Sequence, residues 1–259
     1  MSSTDHSRRV VLFRFSERQY LEEFRRDGAV YMNTLRYFSA LEGDPVRGDR
    51  FEDSDEIHQP SNVRRLRITD NKSGKVITFG PEAIAGPVLI GLGKRPVCNV
   101  FCMFSITGRI NVPLVDQRAF EFGDSFVVIL NTQEFINRVR AAADRSGFRC
   151  SYGLVEYYDE TGYSGDTGPF RKPARFAYQR EFRFLIEPGS RQPIKLVVGS
   201  LEDITTPLYP LAEINRIVAF GGPDGEGCDC EQADRQSADE LNENLHVVDA
   251  KPRSAAAMV

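Results

Sequence analysis

An α+β fold with a strand-dominated core is what the sequence predicts, on three observations. Short β-branched and aromatic runs outnumber helical patterns. Those runs do not alternate with helices in a βαβ rhythm. The large apolar side chains are eighteen phenylalanines and nine tyrosines with no tryptophan, a set that suits a sheet interior better than a helical bundle. With 259 residues and 41% hydrophobic content the chain can close one generous core, so residues 1–250 read as one domain and 251–259 as a disordered tail.

Val10–Phe15 (VVLFRF) reads as a buried strand interrupted by Arg14. Ser16 caps the following helix with Gln19 in the capping-box position; Tyr20, Leu21 and Phe24 share one face, and Gly28 stops it. Ala29–Asn33 is a second strand. Glu42–Pro60, rich in Asp, Glu, Gly and Arg, lacks apolar periodicity and reads as a long loop. Val63–Thr69 and Lys75–Phe79 form a hairpin around Asn71-Lys72-Ser73-Gly74, residues suited to a turn that needs positive φ. Val97–Ser105 and Ser125–Leu130 are strands. Asn131 and Glu134 open a helix striped by Phe135, Ile136, Val139 and Ala142 and ended by Gly147. Leu154–Tyr158 is a strand, and the glycine-containing connection Asp159–Arg175 is long enough to be functional or mobile. Tyr178–Ile186 alternates cleanly, Ile194–Val198 follows, and Ile214–Phe220 is the last strand, with a short helix around Ala233–Leu245.

Composition excludes several function classes. A net charge of −4 and a pI near 5.6 do not suit a protein that clamps nucleic acid with its whole surface, so any such contact is local. No run approaches the roughly 18 apolar residues of a membrane span. Met1–Arg9 is polar without an apolar leader core, so the chain reads as cytoplasmic and away from membranes. Five cysteines, an odd number scattered along the chain, read as reduced thiols, including Cys228 and Cys230. The only histidines are His6, His58 and His246, which argues against a metal site and against a His-activated nucleophile. Neither a dinucleotide-binding GxGxxG nor a phosphate-binding Walker pattern is present.

Three polar residues interrupt strands where apolar ones are expected: Arg14, Ser105 and Glu181. Side chains alternate along a strand. Glu181 therefore shares a face with Gln179 and Arg183, opposite Phe182, Phe184 and Ile186, while Ser105 lies with Asn99, Phe101 and Met103. An Arg on the first strand, a Ser on a middle strand and a late Gln-x-Glu resemble, in that order, the R-S-E arrangement of ADP-ribosyltransferases over Val10–Ile186. The chain is also similar to an uncharacterised bacterial family with Phe-Arg-Phe early, Phe-Ser in the middle and Tyr-Gln-x-Glu-Phe-Arg late.

The resemblance implies a split β-sheet core with few helices and NAD as a substrate, without a metal. Glu181 would stabilise the oxocarbenium-like ribose and Gln179 would engage the acceptor. Arg14 would anchor the dinucleotide. Ser105 would support the ribose or orient Glu181, with Thr107 completing the Ser105-Ile106-Thr107 run. Tyr31, Asn33 and Tyr37 would line the nicotinamide pocket. Arg171, Lys172 and Arg175, in the loop before the glutamate, would meet a macromolecular acceptor, protein or nucleic acid. The implied activity is mono-ADP-ribosylation by a toxin or defence effector, with a neutralising partner. A non-catalytic scaffold recognising a partner through Glu42–Glu56, and an NAD glycohydrolase, stand beside it. Taken singly, Glu181 also reads as a solvent-facing carboxylate paired with Arg183, Arg14 as a structural ion pair, Ser105 as a backbone-satisfied strand end, and the basic trio as a solvated face.

Overall fold

The computed structural model describes residues 9–41, 44, 46–49, 51, 52, 54–91, 97–107, 113–218 and 248–249. Its elements run β1 (Arg9–Ser16), α1 (Arg18–Asp27), β2 (Ala29–Thr34), α2 (Leu35–Ser39), β3 (Glu56–His58), β4 (Leu66–Thr69), β5 (Val76–Phe79), β6 (Val88–Ile90), β7 (Asn99–Thr107) and β8 (Ser125–Ile129). They continue with α3 (Thr132–Arg145), β9 (Arg149–Leu154), β10 (Glu156–Tyr158), β11 (Gly165–Asp166), β12 (Arg171–Pro173), β13 (Glu181–Glu187), β14 (Ile194–Val197), β15 (Tyr209–Pro210), α4 (Ile214–Ile217) and β16 (Val248–Asp249). Strands outnumber helices, as the residue patterns anticipate. The chain divides into two compact units, one comprising Met1–Thr34, Cys98–Val155 and Tyr178–Val259, the other Leu35–Val97 and Glu156–Ala177.

The first unit is built on one antiparallel sheet in the order β14-β2-β7-β1-β8-β15, with β13 and β9 added beyond β7 and β16 on β1. Alternation gives each strand two apolar faces, and both are covered. On one face α1 and α3 bury Leu21, Phe24, Phe135 and Val139 against Leu12, Phe101, Phe182 and Phe184. On the other, Leu114, Val115, Leu211 and Ile214 cover Phe13, Phe15, Phe104 and Phe126. Gly28 ends α1 at φ 65, where a side chain would be strained and a Cβ would strike the Gly199 carbonyl.

Several boundaries differ from expectation. The α1 cap is Glu17, without a side-chain capping bond, because Ser16 is still paired in β1; Tyr20 lies exposed while Leu21 and Phe24 are buried. The middle strand runs two residues later than its apolar pattern suggested, to Thr107. Residues 174–179 form a 3₁₀ turn, and Arg180 takes φ 42, so the late strand starts at Glu181 rather than Tyr178. Ile214–Ile217 is helical, not a strand, because Leu211 and Ile214, three residues apart, bury on one side. By contrast, Asn131 caps α3 as read, its side chain accepting from Glu134 N at 3.0 Å. Phe220, Cys228, Cys230, His6, His246, the Ala233–Leu245 helix and the tail lie outside the described residues.

In the second unit β3 pairs with β6 and β11, β10 with β12, and β4 with β5. The Glu42–Pro60 stretch is thus not all loop, and several of its acids are buried. Asp49 and Glu52 are buried, as is Lys172 on β12. Lys172 Nζ lies 3.7 Å from Glu52, and Arg175 lies 3.6 Å from Asp49 while also pairing with Glu160. Burial, reinforced by the Glu52 charge, pushes the Asp49 carboxyl up from 3.8 to about 6.

A carboxyl raised on folding binds its proton more tightly in the native state. Its contribution to stability is therefore largest in acid and falls as pH rises from about 4 to about 6. Asp49→Asn is expected to remove that slope and to raise stability near neutral pH, by an amount on the order of 3 kcal/mol at most. Urea unfolding at stepped pH measures both; an unchanged slope in the variant contradicts the assignment.

Candidate functional site

A parting of strands creates the site. Along one edge of β7, β1 pairs with Phe104–Thr107 and β2 with Asn99 and Val100. The register to β1 ends at Phe13↔Phe104, while β1 continues along β8 to Ser16. Arg14 thus begins the segment of β1 that leaves β7. A carbonyl in a sheet needs a donor. Between the two paired stretches the Arg14 guanidinium supplies one, donating from Nη1 to Cys102 O at 2.8 Å, with its carbon 4.6 Å from the Phe101 ring centre.

On the opposite edge of β7, β13 pairs from Glu181↔Phe104 to Ile186↔Asn99. Glu181 and Arg183 lie away from Phe182 and Phe184, as alternation requires, yet they are buried at 7% and 1% exposure because both sheet faces are covered. Arg183 Nε donates to Glu181 Oε2 at 2.6 Å. The anticipated pairing with Arg183 is present, but it is a buried charge-assisted bond rather than a solvated one.

Ser105 fixes where β13 begins. Its backbone N–H and its hydroxyl both donate to Arg180 O, at 2.8 and 2.6 Å. That double bond to one carbonyl holds the residue whose positive φ separates the 3₁₀ turn from the strand. Ser105 is therefore a backbone clamp one residue from Glu181. Gln179, at the end of the turn, has its amide 3.4 Å from Tyr178 Oη, and the Tyr178 ring stacks under the Arg118 guanidinium at 3.8 Å.

Arg14, Phe15, Cys102, Met103, Phe104, Phe122, Gln179 and Glu181 line one open pocket of about 70 Å³. Residues from both faces of β7 contribute, which an unbroken sheet would prevent. The volume is well below the roughly 300–1,000 Å³ of a pocket that encloses a whole small molecule. Chemically the pocket offers one cation, one carboxylate, one amide and three aromatic rings.

The other sequence candidates lie elsewhere. Tyr31 on β2 is 54% exposed, and Asn33 accepts from Thr34 N; neither lines the pocket, and Thr107 lies past its rim on β7. Arg171, Lys172 and Arg175 belong to the second unit. There Arg171 pairs with Glu156 and donates to Tyr163 Oη and Asp166 O, and the other two engage Glu52, Asp49 and Glu160. Lys172 is buried, so the trio is not one solvated face. Tyr37 is exposed and packs edge-on against Phe38.

Phe15, Cys102, Phe104 and Phe122 line the pocket although the sequence assigns none of them a site role. Phe15 and Phe104 flank Arg14 and Ser105 and differ from core aromatics only by the strand parting; Phe122 carries no local signal. Among the described residues no group of three His, Cys, Asp or Glu converges as a metal site, and Cys98, Cys102 and Cys150 are in no disulfide, with burial pushing the Cys150 thiol up to about 11.

Removing one partner of a buried ion pair strands the other. Arg183→Met is expected to cost about 3–5 kcal/mol, and Glu181→Gln combined with it to recover most of that loss. Denaturant unfolding of the four proteins checks it, and additive losses contradict the pairing. No protein-family model, no curated protein and no solved structure matches the chain.

Proposed function

We propose that the chain is an NAD-dependent mono-ADP-ribosyltransferase, passing ADP-ribose from NAD to a macromolecular acceptor. One observation carries the reading: Arg14, Gln179 and Glu181, 167 positions apart at the extremes, line a single pocket beside the serine that clamps the backbone next to the glutamate. The parting of β1 from β7 supports the finer reading of the fold as a split sheet of the ADP-ribosyltransferase kind.

In this reading the bond between nicotinamide nitrogen and ribose C1′ breaks, and its electron pair leaves with nicotinamide. Positive charge grows on the ribose as it does so. A carboxylate held beside the sugar lowers that barrier electrostatically, most effectively where water is excluded. Glu181 takes this role, and Arg183 fixes its orientation through the 2.6 Å bond. Arg14, with a guanidinium suited to anionic oxygens, meets the diphosphate or ribose. Phe15, Phe104 and Phe122 supply apolar walls for the leaving pyridine ring. Gln179 stands where an acceptor group can be met. The acceptor's lone pair then closes on C1′ and its proton is released to solvent.

Incubation with labelled NAD and cell lysate tests the proposal. Label on macromolecules, reduced about 10²-fold or more by Glu181→Gln, is the expected result. Free ADP-ribose alone makes the protein a glycohydrolase, and absence of both products leaves only a binding role.

A further inference from the structure

We propose that the β4–β5 hairpin of the second unit is an arm that binds duplex DNA, an activity separate from the NAD pocket. Among the described residues its strands pair only with each other. A lone two-stranded hairpin is marginal in water, so a segment that stays one without a sheet behind it is a candidate for packing on something else. The turn is well made: Asp70 N donates to Lys75 O at 2.9 Å, Gly74 N to Asp70 O at 2.8 Å, and Gly74 takes φ 67.

Register sorts the ribbon into two faces. Leu66↔Phe79 and Ile68↔Ile77 form an apolar one, with Ile68 51% and Ile77 45% exposed. Arg67↔Thr78 and Thr69↔Val76 form the other. Between positions 63 and 80 the chain carries Arg64, Arg65, Arg67, Lys72 and Lys75 against a single acid, Asp70, in a protein whose net charge is −4. All five cations are exposed. Asp70 is already occupied, accepting from Lys72 N and the Ser73 hydroxyl. Among the described residues none of the five has a carboxylate partner, whereas Arg18, Arg25, Arg26, Arg138 and Arg216 each sit on one.

Shape and charge together select the partner. The B-form major groove admits a two-stranded ribbon, whereas the deep, narrow major groove of A-form RNA does not. Arginine, lysine and threonine side chains suit phosphate oxygens, and isoleucine suits the thymine methyl. An acidic protein would satisfy the charge but has no use for a ribbon open on both edges. A membrane-surface element would want aromatic anchors, and Phe79, the one aromatic here, is half-buried.

Fluorescence anisotropy of a short labelled DNA duplex with the full chain, without NAD, tests this independently of the pocket's chemistry. With about four phosphates engaged, affinity should fall about 10²-fold between ~50 and ~200 mM salt. Reversing Arg64, Arg65 and Arg67 to Glu should weaken binding at least about tenfold. These side chains are exposed, so an unchanged circular dichroism spectrum is expected; Lys72→Glu with Lys75→Glu, at the tip, gives a second reading. No binding at low salt, equal binding by both charge-reversed variants, or capture by phosphatidylserine vesicles in place of the duplex overturns the proposal.

Discussion

β1 follows β8 as far as Ser16 but follows β7 only as far as Phe13, and the chemistry of the first unit descends from that inequality. A strand that leaves its neighbour exposes backbone carbonyls that must find donors. Arg14, the first residue past the last β1–β7 pair, meets that need at Cys102 O through its guanidinium. The same parting lets side chains from both faces of the sheet meet in one hollow. A hydrogen-bonding requirement of the fold thus leaves a cation and a carboxylate lining one small aromatic-walled space.

The opposite edge of β7 is held just as firmly. Ser105 donates twice to Arg180 O, and Arg183 grips Glu181 from two residues further on. Glu181 is therefore fixed along the chain on both sides before any ligand arrives. Their bond helps offset the cost of burying two charges, so stability and orientation at this position are linked.

Much of this was legible in the residues. The polar interruptions at Arg14, Ser105 and Glu181 stood out against strand periodicity, and alternation correctly set Glu181 and Arg183 opposite Phe182 and Phe184. The Asn131 cap and the hairpin turn at Gly74 were readable because local chemistry decides them. What alternation cannot show is whether a polar face meets water. A sheet covered on both sides turned a presumed solvent-facing Glu181 into a buried one. Gln179 was placed in the strand because nothing local announces the positive φ of Arg180. Tyr31 and Asn33 were grouped with the site by position in the chain, whereas β2 joins β7 beyond the parting. The acidic stretch before β3 reads as a long loop, yet Asp49 and Glu52 are buried near cations more than a hundred positions away, a pairing that no local pattern reveals.

Under the proposed function, the gap between β1 and β7 would receive the nicotinamide end of NAD against Glu181. A crystal structure of the chain soaked with NAD tests it most directly. The expected result is the ribose of the nicotinamide half beside the Glu181 carboxylate, with Arg14 on the diphosphate or sugar. Continuous pairing of β1 with β7 through Phe15, or NAD seated away from Glu181, would contradict it.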